Sequence, residues 1–183
     1  IFGDLLLERT KNLDLKSKEY INRMQKASMR MQVFITDLLN YSKISAGREF
    51  ETIQTEQILK EVIEDLEARI SESGGIIDLK DIPDLEADPF QMKQLFQNLM
   101  SNSLKYHKEG VPPVLKIYGR SQEEGKVHIF FEDNGIGFED KYIQRIFQPF
   151  QRLHGRGAYE GTGMGLAICK KIVDRHHGKI KAV

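Results

Sequence analysis

Two glycine-rich clusters constrain this chain of 183 residues more than any other feature. The first is Asp133-Asn134-Gly135-Ile136-Gly137, and the second is Gly161-Thr162-Gly163-Met164-Gly165-Leu166. Glycine is used where the backbone takes a positive φ or comes close to a ligand, and N–H groups at the start of a helix form anion sites. Either cluster alone would favour an ordinary turn. Together with the polar helix described next, they predict one phosphate-bearing ligand held from two sides.

A helix with a polar face is predicted to supply the rest of this site. The segment Asp88-Pro89-Phe90-Gln91 has the pattern of a helix start capped by its own side chains. The predicted buried face consists of Phe90, Met92, Leu95, Phe96 and Leu99. Asn98, Asn102 and Lys105 follow at i, i+4 and i+7, so they share another face. Because asparagine is an indifferent helix former, this face is either a polar site or solvated surface.

A long apolar stripe predicts one helix over residues 14–45, with Asp14 as its N-cap. The stripe alternates four and three residues, through Tyr20, Met24, Ala27, Met31, Phe34, Leu38 and Tyr41. This spacing is that of a coiled coil or a four-helix bundle, and such a stripe needs a partner that buries it. With a short first helix at residues 1–9, we predict a helical hairpin that dimerises as a four-helix bundle. The alternative is a hairpin packed on its own domain.

The remaining pattern predicts a mixed helix-and-strand domain after a linker. We expect a partial dimerisation hairpin at residues 1–45, a linker at 46–54 and a ligand-binding domain at 55–183. The predicted helices cover residues 55–73, 139–147 and 163–177, and the predicted strands cover 76–79, 114–121 and 126–133, with a strand-like start at 179–183. Gly178 is predicted at the C′ position of the last helix.

Composition excludes several classes of function. Lys and Arg number 27, as do Asp and Glu, so the chain has no net charge that would indicate a dedicated nucleic-acid surface. Cys169 is the only cysteine, which excludes an internal disulfide framework. The histidines are scattered, and the adjacent His176 and His177 are expected at the surface, so we propose no transition-metal site. The sequence shows no membrane-spanning run and no signal peptide.

The order of the motifs resembles that of sensor histidine kinases. The segment Gln97 to Tyr106 is similar to their asparagine box, and Asp133 to Gly137 is similar to their first glycine box. Phe147-Gln148-Pro149-Phe150 resembles their phenylalanine box, and Gly161 to Leu166 resembles their second glycine box. Met31 to Ser42 resembles the second helix of their dimerisation hairpin. The resemblance covers nearly the whole chain, and four boxes in order are far more specific than either glycine motif alone.

The resemblance implies an α+β fold of the Bergerat ATP-binding type, a two-layer sandwich of helices on a mixed sheet. It places Mg²⁺-ATP between the helix that carries Asn98 and Asn102 and a lid at residues 148–162. Asp133 would accept a hydrogen bond from the adenine amino group. Asn102 would ligate Mg²⁺, with Asn98 supporting that region and Lys105 contacting phosphate, and these three residues are the implied catalytic ones. The other implied nucleotide contacts are Tyr106, Gly135, Ile136, Gly137, Phe147, Thr162, Gly163, Met164, Gly165 and Leu166.

These kinases transfer the γ-phosphoryl group to a histidine on the first hairpin helix and then to a response-regulator aspartate. None of the five histidines precedes His107, so we expect the acceptor about two to three helical turns upstream of Ile1. We expect the chain to be clipped at both ends, because it begins inside a predicted helix and stops soon after the strand-like start at residues 179–183. The resemblance also implies a homodimer, a receiver-domain partner and a sensory domain N-terminal to this chain. It implies that the kinase region is cytoplasmic, and it leaves open whether the parent protein is anchored in a membrane.

Two other functions stay open at this point. ATPases of the gyrase, chaperone and mismatch-repair type share the ATP fold, and they carry a glutamate one helical turn before the magnesium asparagine. Asn98 occupies that position here, and an amide cannot act as a general base. This favours phosphoryl transfer to a protein over hydrolysis. The third candidate is a nucleotide-sensing or dimerisation scaffold without transfer activity.

Overall fold

The computed structural model of the protein describes residues 14–122, 126–153 and 161–183. The predicted first helix at residues 1–9 and residues 154–160 of the predicted lid lie outside this described part. The helices are α1 (Leu15–Lys43), α2 (Thr55–Asp65), α3 (Glu67–Ser73), α4 (Pro89–Lys105) and α5 (Gly165–Arg175). The strands are β1 (Glu51–Ile53), β2 (Ile76–Leu79), β3 (Leu85–Ala87), β4 (Val114–Ser121) and β5 (Val127–Asp133).

Helix α1 confirms the long helix predicted from the apolar stripe. Asp14 caps it, because its carboxylate accepts the Ser17 N–H at 2.6 Å. A 3-10 turn, Ile44–Ala46, follows the helix, and the buried side chain of Ile44 anchors that end in the core. Most of the stripe remains uncovered in the single chain, as shown by Met24 and Met31, which are 70% and 61% exposed. No described helix has both the length and the apolar character needed to cross a membrane.

The sheets confirm the predicted α+β fold with helices on a mixed sheet. The larger sheet has the order β2-β4-β5, with β2 parallel to β4 and β4 antiparallel to β5. Strands β1 and β3 form a separate antiparallel pair. Apolar side chains of three helices, α2, α4 and α5, pack with those of strand β4: Leu59, Val62, Phe96, Met100, Leu115, Ile117, Ile168 and Ile172, together with Ile44 after α1. This packing brings the end of α4, the end of β5 and the start of α5 together.

Several sequence-based expectations about local structure are wrong. Residues 139–147 form no α-helix, but the 3-10 turn Asp140–Tyr142 followed by further turns. Only Ile146 of this stretch is buried, so the segment lacks the apolar face that would stabilise a short helix. The helix expected over 55–73 is divided at Leu66, where φ is −102°. No strand begins at residues 179–183.

Two further corrections concern the ends of helices. Phe90, expected in the core, is 60% exposed in the first turn of α4. Its ring lies under the Arg48 guanidinium, which is 3.7 Å from the ring centroid. His177, rather than Gly178, takes the left-handed conformation after α5, with a φ of 57°. The Gly178 N–H then bonds to the Val173 carbonyl, which closes the helix.

The stretch at 46–54, predicted to be a linker, packs on the domain that follows it. Its strand β1 pairs with β3, and the Arg48 N–H donates to the buried Asp88 carboxylate at 2.8 Å. Arg175 of α5 approaches the same carboxylate at 3.4 Å and also donates to Gln91 at 3.1 Å. The same Asp88 side chain caps α4 as predicted, by accepting the N–H groups of Phe90 and Gln91. The division into domains at this stretch stays a prediction.

Candidate functional site

A cavity of about 1050 Å³ opens where α4, β5 and the following loop meet. Seven of the predicted site residues line it: Asn102, Tyr106, Asp133, Ile136, Gly137, Phe147 and Leu166. Ser103, Phe131, Phe138 and Ile146 also contribute to its wall, and the cavity continues under β5 to residues 176–183. Its volume lies just above the range of ordinary small-molecule sites, which is about 300–1,000 Å³. The cavity is therefore large enough for a nucleotide.

The Asp133 carboxylate is fixed by hydrogen bonds to both of its oxygens. Oδ1 accepts the Gly135 N–H at 2.8 Å, and Oδ2 accepts the Ser103 hydroxyl at 3.1 Å. A Cβ on Gly135 would lie 2.6 Å from Asp133 Oδ1 and 2.7 Å from the Tyr106 carbonyl oxygen, so only glycine fits there. The Ile136 N–H donates to that same Tyr106 carbonyl at 2.9 Å. The first glycine cluster thus joins the end of β5 to the end of α4 and holds one carboxylate at the cavity.

Ser103 is a site residue that the sequence reasoning missed. It is buried in α4, and its hydroxyl has two acceptors in reach, Asp133 Oδ2 and the Leu99 carbonyl at 3.3 Å. A signal for it was present, because Ser103 lies seven residues after Phe96 on the buried stripe of the helix. A hydroxyl at a core position needs a hydrogen-bond partner. Here that partner is the carboxylate of Asp133, and the hydrogen bond from Ser103 holds this carboxylate in place.

The three predicted polar residues of α4 do not line one common wall. Asn102 lines the large cavity, whereas Asn98 lines a second cavity of about 390 Å³ together with Asp37 of α1. The Asn98 amide oxygen lies 3.2 Å from the position of a Cβ on Gly165, so Asn98 faces the start of α5. Lys105 Nζ donates to the Tyr106 hydroxyl at 2.7 Å and lies 3.1 Å from the Cβ position of Gly161. The polar face of α4 therefore meets the second glycine cluster.

The second glycine cluster forms the turn into α5. Gly163 has a φ of 79°, and a Cβ there would lie 2.8 Å from the Gln151 carbonyl oxygen, so the turn requires glycine. Met164 is the N-cap residue and is buried, and its N–H donates to the Thr162 hydroxyl at 3.3 Å. The Thr162 hydroxyl donates in turn to Asp37 at 2.5 Å. The sequence reasoning assigned no role to Asp37.

The phenylalanine segment contacts two different parts of the molecule. Phe147 lines the large cavity, as the resemblance implied. Phe150 has a φ of 64° and stacks on Phe34 of α1, with 5.0 Å between the ring centroids. Residues 148–153 and 161–162 of the predicted lid are described, and both of these parts contact α1 through Phe150 and Thr162.

His176 is half-buried rather than a surface residue as expected. Its Nε2 accepts the Asp88 N–H at 3.0 Å, and its Nδ1 lies 2.8 Å from the Ile172 carbonyl. The ring stacks on Phe50, with 4.4 Å between centroids. Burial lowers the pKa of His176 below the ordinary value of 6.5. The imidazole is therefore a neutral structural link between α4 and α5, whereas His177 is exposed as predicted.

A family model supports a nucleotide site in this part of the chain. The model described as histidine kinase-, DNA gyrase B- and HSP90-like ATPase matches residues 87–183. The phytochrome-like protein Cph1 of Synechocystis sp. is 40% identical over 171 residues, which cover 92% of this chain and 22% of Cph1. The circadian input-output histidine kinase CikA of Synechococcus elongatus is 30% identical over 177 residues, which cover 91% of this chain and 23% of CikA. The chain spans about a fifth of the length of the curated relatives it matches first.

Solved structures share the fold over almost the whole chain. Full-length ShkA in complex with AMPPNP matches with a TM-score of 0.72 and 23% identity, covering 98% of this chain and 38% of ShkA. Histidine kinase ThkA in complex with response regulator protein TrrA matches with a TM-score of 0.65 and 24% identity, covering 96% of this chain and 50% of that chain. At these identities the likeness establishes the fold alone.

Proposed function

The chain belongs to the family of histidine kinase-, DNA gyrase B- and HSP90-like ATPases, and on this basis we propose that it is the catalytic and partial dimerisation region of a sensor histidine kinase. One observation carries the nucleotide site. A carboxylate, Asp133, is fixed on both oxygens at the rim of a cavity large enough for ATP. A carboxylate only accepts hydrogen bonds, so this group selects a ligand edge that donates them. The 6-amino group of adenine is such an edge.

The phosphate end of the ligand is assigned to the second glycine cluster and the polar face of α4. The start of α5 offers backbone N–H groups and a positive helix end, with Thr162, Gly163, Met164 and Gly165 around it. Lys105 supplies a mobile positive charge beside Gly161. Tyr106, Ile136, Gly137, Phe147 and Leu166 complete the proposed wall of the base and ribose region.

The donor set also fits Mg²⁺. Asn102 lines the large cavity and carries an amide oxygen, and oxygen donors are the ligands that Mg²⁺ prefers. Mg²⁺ commonly keeps several waters and is held by one or two protein oxygens plus the phosphates, so one amide is an adequate protein contribution. When bound, the ion would neutralise charge on the transferring phosphoryl group.

Phosphoryl transfer to a protein is favoured over hydrolysis by the chemistry of Asn98. This residue faces the start of α5, where the phosphates are proposed to lie. An amide has no basic lone pair that could take a proton from water. The acceptor is proposed to be a protein histidine on a dimerisation helix, with a response-regulator aspartate as the next acceptor. The complex of ThkA with TrrA, a fold neighbour, supports the choice of that partner.

The experiment that tests this proposal compares two proteins incubated with γ-labelled ATP and Mg²⁺. One is the chain of 183 residues, and the other is extended at its N-terminus by native sequence that carries the expected acceptor helix. We expect labelling of the extended protein alone, in an acid-labile and base-stable form, and its loss in Asn102→Ala. Rapid phosphate release without labelling of either protein would instead support an ATPase. Tight ATP binding with neither reaction would support the nucleotide-sensing scaffold.

A further inference from the structure

A chain of two hydrogen bonds fastens the start of α5 to helix α1. The Thr162 hydroxyl donates to the Asp37 carboxylate at 2.5 Å, and its oxygen accepts the Met164 N–H at 3.3 Å. Thr162 and Asp37 are 125 residues apart in the sequence and both half-buried. Their contact therefore arises from the packing of α1 on the domain rather than from local chain geometry. It engages the hydroxyl proton and one N–H group at the start of the helix.

These two donors are among those that the proposed function assigns to the nucleotide phosphates. A hydroxyl carries a single proton, so Thr162 donates either to Asp37 or to a phosphate oxygen. Asp37 also places a negative charge beside a helix end that would otherwise attract an anion. A carboxylate and a phosphate close together repel each other, and more strongly where solvent is partly excluded. Asp37 in this position thus opposes the binding of phosphates.

Two neighbouring contacts hold α1 in the position that allows this hydrogen bond. Phe34, three residues before Asp37, stacks on Phe150. Lys171 of α5 donates to the Tyr41 carbonyl at 2.8 Å, and its ammonium lies 4.2 Å from the centroid of the Tyr41 ring. Positions 34, 37 and 41 lie on one face of the helix. A displacement of α1 would therefore break all three contacts together.

We propose that Asp37 is an inhibitory residue that couples the position of helix α1 to the affinity of the site for nucleotide phosphates. The inference rests on the proposed function, since it concerns regulation of the same site. With α1 docked, Asp37 holds the proton of Thr162 and repels the phosphates. With α1 displaced, the Thr162 hydroxyl is free to donate to a phosphate oxygen, while its own oxygen still accepts the Met164 N–H. Because linkage is reciprocal, bound phosphates favour the displaced position of α1 by the same factor.

The test is calorimetric titration of the chain of 183 residues with AMPPNP and, separately, with adenosine. Asp37→Asn keeps the size of the side chain and removes its charge. We expect this variant to bind AMPPNP about fivefold more tightly or better, the lower end of typical coupling between sites. Its affinity for adenosine should be unchanged, because adenosine has no phosphate. The matched control is Glu19→Gln, which removes one charge from an exposed ion pair with Arg23 on the same helix; it should leave both affinities unchanged.

A second variant separates charge from helix position. Phe34→Ala keeps Asp37 but removes the stacking on Phe150, so it should also tighten AMPPNP binding, by a smaller factor, without altering adenosine binding. Unchanged or weaker AMPPNP binding by Asp37→Asn, with adenosine binding intact, would overturn the inhibitory role and leave the proposed function standing. Equal tightening for both ligands would overturn it as well, since the effect would not act on phosphates. Failure of every variant to bind either ligand would overturn the proposed function and, with it, this inference.

Discussion

Replacing Asp133 by asparagine should remove the recognition of adenine while leaving the fold almost intact. In the substituted protein, an amide oxygen can still accept the Gly135 N–H that now lies 2.8 Å from the carboxylate. The amide NH₂ would then face Ser103, whose hydroxyl has the Leu99 carbonyl at 3.3 Å as an alternative acceptor. Every buried donor therefore keeps a partner. We expect the free energy of unfolding to change by less than about 1 kcal/mol.

The loss of binding should be much larger than the loss of stability. A hydrogen bond to a charged group is worth about 1.5–3 kcal/mol, and 1.4 kcal/mol corresponds to a factor of about ten in Kd. Asp133→Asn should therefore weaken ATP binding by about 10- to 150-fold. The variant also turns an N–H donor toward the adenine amino group, so the amide does not replace the lost acceptor.

A double-mutant cycle isolates this one contact. Calorimetry is carried out with ATP and with purine riboside triphosphate, which lacks the 6-amino group, on the parent chain and on Asp133→Asn. The parent should prefer ATP by about 10- to 150-fold, and the variant should bind the two ligands about equally. Asp174→Asn, which removes a carboxylate from an exposed ion pair with Lys170, should retain the preference. Equal weakening of both ligands in Asp133→Asn would give no coupling and would refute the assignment of Asp133 to the adenine amino group.

Two further predictions concern stability and assembly. Because the pKa of His176 is lowered in the folded chain, the unfolded chain binds a proton more readily. The free energy of unfolding should be fully retained above about pH 6.5 and should fall as the pH drops toward the lowered pKa. Urea titrations between pH 5 and 7.5 measure this dependence of the free energy of unfolding on pH. The dependence should disappear in His176→Gln but not in His128→Gln. The exposed apolar stripe of α1 predicts a homodimer, and Met31→Glu should dissociate it because a charge would be buried in the interface between the two chains. Light scattering at high micromolar concentration should show a monomer for Met31→Glu and a dimer for Gln32→Glu, and a monomeric parent chain would contradict the prediction.

Local sequence rules predicted much of this fold, because the features concerned depend on near neighbours. The alternation of four and three residues set the face of α1, and the side chains of Asp14 and Asp88 cap their helices as expected. Gly135 and Gly163 stand where a Cβ would meet backbone or carboxylate atoms within 3 Å. The same rules failed over 139–147, because a short helix depends on tertiary burial of one face, and only Ile146 is buried there.

The sequence alone determined the family, the helix with Asn98 and Asn102, and the carboxylate at the end of β5, since these follow from residue type and spacing. Only the tertiary structure decided which distant groups meet. Ser103 reaches Asp133 across 30 residues, Asp37 reaches Thr162 across 125, and His176 accepts the N–H of Asp88 across 88. Such contacts leave no periodic trace, because each needs the closure of a long loop and the packing of separate elements at one relative position. The residues expected to touch the ligand were therefore readable in advance, whereas the distant partners of the residues that orient or oppose them were not.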